Sequence, residues 1–158
     1  MTSAADSAAV ELIRAAFDGL DEEAAARLAG DATVVEVAPG TRFASEGEQA
    51  DGAYVVAEGS VQLAIHQRQS NLTVATLCGG ELLGWSWAVD PHRWTFDVSS
   101  AGGARLIRVP TASLEGLVED DPVAGVALYR TMVGVLSRRL RDTRVQLLDL
   151  HGSARGDR

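Results

Sequence analysis

An α+β fold, mainly β, is what this sequence of 158 residues predicts: an antiparallel jelly roll or β-roll barrel with N-terminal helices and one long C-terminal helix. Three observations carry that reading. Short β-prone runs recur every 8 to 15 residues between 32 and 110, separated by Gly, Pro, Asn or Asp. The segment before them is Ala-rich. The segment after them alternates apolar residues in steps of three and four with no proline beyond Pro122.

Residues 7–30 read as helices. Ser7 or Asp6 suits the cap of a first helix ending near Phe17. In "GLDEEAAARLAG", Asp21 is an N-cap, Glu22 and Glu23 favour the positive end of the helix dipole, and Gly30 is a stop. Residues 32–110 then supply the strands "TVVEVA", "AYVVAEG", "VQLAIHQ", "LTVATLC", "TFDVSSA" and "ARLIRVP". Residues 111–150 are C-terminal helices, with Pro122 in a first turn. Val126, Tyr129, Val133, Leu136, Leu140, Thr143, Leu147 and Leu150 form an a/d seam over more than three heptads. Such a helix is about 40 Å long, more than one small barrel covers, so the seam suggests pairing with a second copy. Arg138, Arg139, Arg141 and Arg144 lie mostly off it, as a solvated face or a surface for an acidic partner. Residues 151–158, "HGSARGDR", read as a flexible tail, leaving 1–150 as one domain.

Composition narrows the function. A net charge of −8 disfavours a polyanion as main partner, and the only basic stripe lies near the end. One cysteine, Cys78, fits a reducing compartment and reads as a buried strand residue. With no secretory signal and no apolar run of membrane-spanning length, a cytoplasmic protein without a membrane contact is expected. His66, His92 and His151 lack metal spacing, and no nucleophile elbow or nucleotide loop is present, so no enzyme is expected.

The motifs narrow it further. "VAPGTRFASEGEQADGAYVVAEGSVQLAI" places Gly40, Gly47, Gly52 and Gly59 between strand-like runs, where tight turns call for φ > 0. Gly80-Glu81-Leu82 opens a stretch, "GGELLGWSWAVDPHRW", that also holds all three tryptophans. With these motifs the chain resembles the cyclic nucleotide-binding domain family, and in particular the sensor half of Crp/Fnr-type regulators, over about residues 10–150. The resemblance implies a phosphate-binding cassette beginning at Gly80, in which a short helix offers backbone N–H groups to the phosphate. Gly80, Leu82 and Leu83 would supply backbone, and Glu81 would hold a ribose hydroxyl. At the cassette's other end an arginine meets the phosphate beside a small hydroxyl residue. "HRWTFDVSS" allows two registers: Arg93 at the arginine position, or Trp94 there with Thr95 as the hydroxyl.

Thr143, with Arg144 beside it, matches the C-helix position that reads the base across a dimer. The ligand implied is cAMP or another cyclic nucleotide. Only eight residues follow Leu150 where such regulators carry a helix-turn-helix. Direct DNA binding is therefore not expected, and the partner is an unidentified effector protein. The resulting expectation is a small-ligand sensor that relays occupancy to another protein through a homodimer. The alternatives are a ligand-free interaction module with Trp85, Trp87 and Trp94 filling the old pocket, or a pocket for a non-nucleotide ligand.

Overall fold

A computed structural model describes residues 4–67 and 70–153. Helices α1 (Ala4–Ala16) and α2 (Glu22–Asp31) lead into seven strands: β1 (Thr33–Val37), β2 (Thr41–Ala44), β3 (Gly52–Gln67), β4 (Ser70–Cys78), β5 (Leu82–Leu83), β6 (Asp97–Ser100) and β7 (Ala104–Pro110). A 3-10 turn (Trp85–Ala88) separates β5 from β6, and α3 (Thr111–Asp120) and α4 (Pro122–Ser153) follow. Asp21 caps α2 as the sequence predicts, but α1 already begins at Ala4, so Asp6 and Ser7 lie within it, and α2 runs past Gly30 to Asp31. Asp21 accepts the Ala24 N–H at 2.8 Å, and Asp121 accepts from Val123 and Ala124 at 3.0 and 3.1 Å ahead of Pro122.

All strand pairings are antiparallel, in the order β1-β7-β3-β6-β2, with β4 and β5 also paired to β3. The two runs "AYVVAEG" and "VQLAIHQ" are one strand of 16 residues. Its first half pairs with β7 and its second half with β6 and β4, so β3 turns the corner between two sheets. Gly59 makes the bend, with φ +76°, and a Cβ there would strike the Gly103 carbonyl. Gly40 and Gly47 also have positive φ, as the turn reading expects. Gly52 does not. It is required because a side chain would occupy the space of the Val109 carbonyl.

Strand alternation divides the interior in two. Ala53 and Val55 join the helices, Trp87 and Leu128 in one buried cluster. Tyr54 and Val56 face the other way, into the barrel, with Val61, Leu63, Trp94, Val98 and Leu106. Helix α4 lies against the first cluster through Ala124, Leu128, Met132 and Val135, all buried. Beyond Val135 only Arg139 and Gln146 are partly covered, up to Asp149. The Gln146 amide donates to the Val74 carbonyl of β4 at 3.2 Å. The helix runs to Ser153, three residues past the boundary expected from the pattern. The remaining tail residues, 154–158, and the Leu150 side chain lie outside the described residues. Cys78, expected to be buried, is exposed at the end of β4.

Candidate functional site

The stretch 79–96 separates into a turn, a short strand, a 3-10 turn and a return segment bridged to Gln49 at Arg93. Gly80 has φ +86°, and the Glu81 carboxylate accepts the Cys78 N–H at 2.8 Å, closing the β4–β5 turn. Gly80-Glu81-Leu82 therefore does not begin a helix, contrary to the sequence expectation. The sheet claims Leu82 and Leu83: they pair with Val55 and Tyr54, and both are buried. The 3-10 turn starts at Trp85, after Gly84 has reversed the chain with φ +85°. Gly84 is tightly enclosed. A Cβ there would lie 2.8 Å from the Gly52 carbonyl oxygen and 3.3 Å from the Trp94 ring. Gly84→Ala combines left-handed strain with that overlap, and is expected to destabilise by about 2–4 kcal/mol. Gly40→Ala, with positive φ but nothing within 4 Å, is expected to cost only about 1 kcal/mol. Urea unfolding of the two variants checks the difference.

The three tryptophans have separate surroundings. Trp87 is buried and stacks on Tyr129 of α4 with ring centroids 5.8 Å apart. Trp85 is half-buried and meets Phe96 edge-on at 5.5 Å. Trp94 enters the barrel beside Tyr54, at 5.7 Å, and Phe43, at 6.1 Å. Its direction is set by the backbone. Trp94 N–H donates to the Glu48 carbonyl, Gly47 N–H to the Trp94 carbonyl and Ala50 N–H to the His92 carbonyl, each at 2.8 Å. In this extended pairing successive side chains point to opposite faces. Trp94 turns inward, while Arg93 turns outward and its guanidinium donates to the Gly47 carbonyl at 2.7 Å.

Between the 3-10 turn and β6 lies a cavity of about 10 Å³ bordered by Leu63, Leu83, Gly84, Trp85, Ser86, Trp94, Thr95 and Phe96. That is room for about one water at most. Of the residues singled out from sequence, Leu83, Trp85, Trp94 and Thr95 border it. Gly80, Glu81 and Leu82 border a second cavity, of about 160 Å³, together with Arg138 and Arg139. Thr143 and Arg144 are exposed on α4 and border neither. The Thr143 hydroxyl donates to the Arg139 carbonyl at 2.8 Å.

Among the described residues no cation borders the barrel cavity, and the nearby ionised groups are committed elsewhere. Asp97 is buried, accepts the Glu46 N–H at 2.9 Å and faces Arg42 at 3.4 Å. The Tyr54 hydroxyl donates to Asp51 at 2.5 Å, and Asp51 pairs with Arg108 at 3.0 Å. Burial, reinforced by the Asp51 carboxylate, pushes the Tyr54 phenol well above its ordinary value. Among the described residues no cluster of three or more His, Cys, Asp or Glu could hold a metal, and no helix is long and apolar enough to cross a membrane. Sequence reasoning missed Phe43 and Tyr54, which wall in Trp94 from distant strands. It also passed over Arg139, whose helical spacing from Val135 signals a body-facing position.

Comparison with known proteins agrees with this architecture. No curated protein is significantly similar to the chain. A cyclic nucleotide-binding domain from Methylobacillus flagellatus KT superposes with a TM-score of 0.77 at 15% identity, covering 91% of this chain and 83% of that one. The N-terminal domain of a transcriptional regulator from Streptomyces coelicolor A3(2) gives 0.66 at 27% identity, with 87% and 94% covered. The regulatory domain of Toxoplasma gondii PKA, crystallised with cAMP, gives 0.66 at 16%, with 73% and 45% covered. The family model for the cyclic nucleotide-binding domain matches residues 34–121, more than half of the chain. By sequence match and by fold, this chain belongs to the cyclic nucleotide-binding domain family.

Proposed function

We propose that the chain is a non-catalytic regulatory module that acts as a homodimer through α4 and signals to a partner protein rather than to DNA. We further propose that its barrel holds no cyclic nucleotide. One observation carries the latter point. The cassette cavity has shrunk to about 10 Å³, with Trp94 inside it and Arg93 directed away. A cyclic phosphate buried there would lack a compensating cation, and burying an unpaired charge is prohibitive. The Trp94–Tyr54–Phe43 cluster fills the space with apolar contact instead.

The choice of partner is supported by how charge is distributed. Residues 1–121 carry 7 arginines against 19 carboxylates, a net −12, while α4 carries 5 arginines against 2, a net +3. A body of that sign repels the DNA backbone, whereas a basic helix with an apolar seam suits a protein surface. Coupling would run through the stacked pair Trp87–Tyr129, which joins the 3-10 turn to the seam.

Thermal-shift and calorimetric titration with cAMP and cGMP tests this function. No stabilisation is expected at millimolar nucleotide. A saturable shift equivalent to about 2.7 kcal/mol at 100-fold excess over Kd would overturn the closed-barrel reading.

A further inference from the structure

A groove of about 900 Å³ runs along α4 from Pro122 to Arg138, with the end of α1 and the turn after it as its other wall. From residue 122 to residue 138 is about 24 Å of helix. The lining is small and apolar, with Ala16, Gly19, Ala127 and Gly134 among it. A Cβ on Gly134 would meet only the Arg138 guanidinium, at 3.7 Å, so the space over the helix there is open. Val123 and Val126 also border the groove and are 80% and 57% exposed. Arg130 and Arg138 join them, about 12 Å apart along the axis. Neither arginine makes an ion pair or hydrogen bond with a described residue. Asp18, next to Gly19 at the Ala127 end, is the one carboxylate on the border among the described residues. An apolar groove edged by two uncommitted cations, on a body that is otherwise acidic, selects a partner by sign as well as by shape.

We infer that this groove docks an acidic amphipathic helix of the effector protein, with apolar side chains over Ala127 and Gly134 and carboxylates against Arg130 and Arg138. The inference rests on the reading of the chain as a module that signals to a protein, and it supplies the surface and the partner's chemistry. Charge chooses the occupant. The α4 of a second copy carries a net +3 and would bring arginine against arginine in this groove. A helix suits the shape, because the row between two packed helices accepts the ridge of a third, as in other helix-in-groove contacts. Asp18 puts the carboxylates on the half of the occupant that lies away from the α1–α2 turn. Val126 belongs both to the groove and to the exposed seam, so docking would be coupled to the proposed dimer contact.

The test is fluorescence anisotropy and calorimetric titration of the full chain with a synthetic peptide of about 16 residues, leucines in steps of three and four flanked by glutamates. A counterpart peptide carries lysine at each glutamate position. Saturable binding of the glutamate peptide is expected, at least about tenfold tighter than the lysine peptide. The net charge of −8 favours lysine, so that preference identifies the local arginines. Arg130→Glu and Gly134→Leu should each weaken binding about tenfold or more. Gly134→Leu fills the groove while improving helix propensity, so its melting temperature should be unchanged or raised. Arg141→Glu, off the groove, should bind as the parent does. A lysine peptide that binds as tightly, or equal losses in Arg141→Glu and Arg130→Glu, overturns the inference. Loss of the dimer in Gly134→Leu, seen by sedimentation, assigns the groove to a second copy and overturns it too. A labelled DNA duplex titrated in parallel separates the two readings. Saturable duplex binding refutes signalling to a protein rather than to DNA, whereas failure of both peptide and duplex to bind refutes only the acidic-helix groove.

Discussion

Replacing Trp87 with alanine is expected to destabilise the fold by about 3–5 kcal/mol, the usual cost of removing a buried tryptophan. For a chain of this length that lowers the melting temperature by about 10 °C or more. The side chain is 1% exposed and belongs to the cluster that joins the helices to the barrel. Nothing adjacent can collapse into the space cheaply, because Val55, Leu114 and Leu128 are themselves fully buried. Trp87→Phe is expected to be far milder, within about 1 kcal/mol. The indole Nε1 is buried without a partner, so removing it relieves an unsatisfied donor while the smaller ring keeps most of the contact. A double-mutant cycle of Trp87→Phe with Tyr129→Ala should return about 0.5–1.5 kcal/mol of coupling from the stacked rings. Chemical denaturation measures all three variants. If the coupling is zero, the cassette and the α4 seam are not joined through this pair.

How far the sequence led depended on the range of the interaction. Asp21 and Asp121 cap their helices through bonds spanning two or three residues, so their roles are readable locally. The strand runs were readable because alternation marks a pleated surface, although one long strand was read as two where Gly59 bends it. Gly80-Glu81-Leu82 misled for a different reason. A glycine-flanked carboxylate suits a helix start and a tight turn equally, and the decision came from Leu82 and Leu83 pairing with β3, some 28 residues upstream. The rival registers of Arg93 and Trp94 could not be separated along the chain. Bonds to residues 47–50 choose which side chain enters the barrel. Cys78 is exposed because it occupies the end of β4, opposite Ser60, where the strand leaves the sheet for the turn. Helix α4 carries two three-four stripes. Leu128, Met132 and Val135 face the body, and the seam beside them is exposed.

That exposed seam sets the second large effect. Leu136→Asp combined with Leu140→Asp is expected to convert the proposed dimer to a monomer, weakening association at least about 100-fold. The basis is position and exposure. Val126, Tyr129, Val133, Leu136, Leu140 and Leu147 follow a/d spacing, and each is 39% exposed or more in the single protomer. Six large apolar residues in one line along a helix of 32 residues form the exposed stripe that the proposed dimer would bury. Burying each leucine in an interface contributes about 1.5–3 kcal/mol, and an aspartate there adds a desolvation cost, so two substitutions remove well over the 2.8 kcal/mol that corresponds to 100-fold. Because neither leucine belongs to the buried clusters, folding should survive, with the thermal transition within about 1 kcal/mol of the parent at low concentration. Sedimentation velocity distinguishes the outcomes. Loss of dimer with unchanged circular dichroism identifies the seam as the homodimer contact. An unchanged sedimentation mass would mean that the stripe, exposed as it is, does not hold two copies together. The only polar layer within the described seam is Thr143, whose hydroxyl already bonds the Arg139 carbonyl. Thr143→Val should therefore tighten the dimer, since it replaces a polar seam position with an apolar one at the cost of a bond made within its own helix.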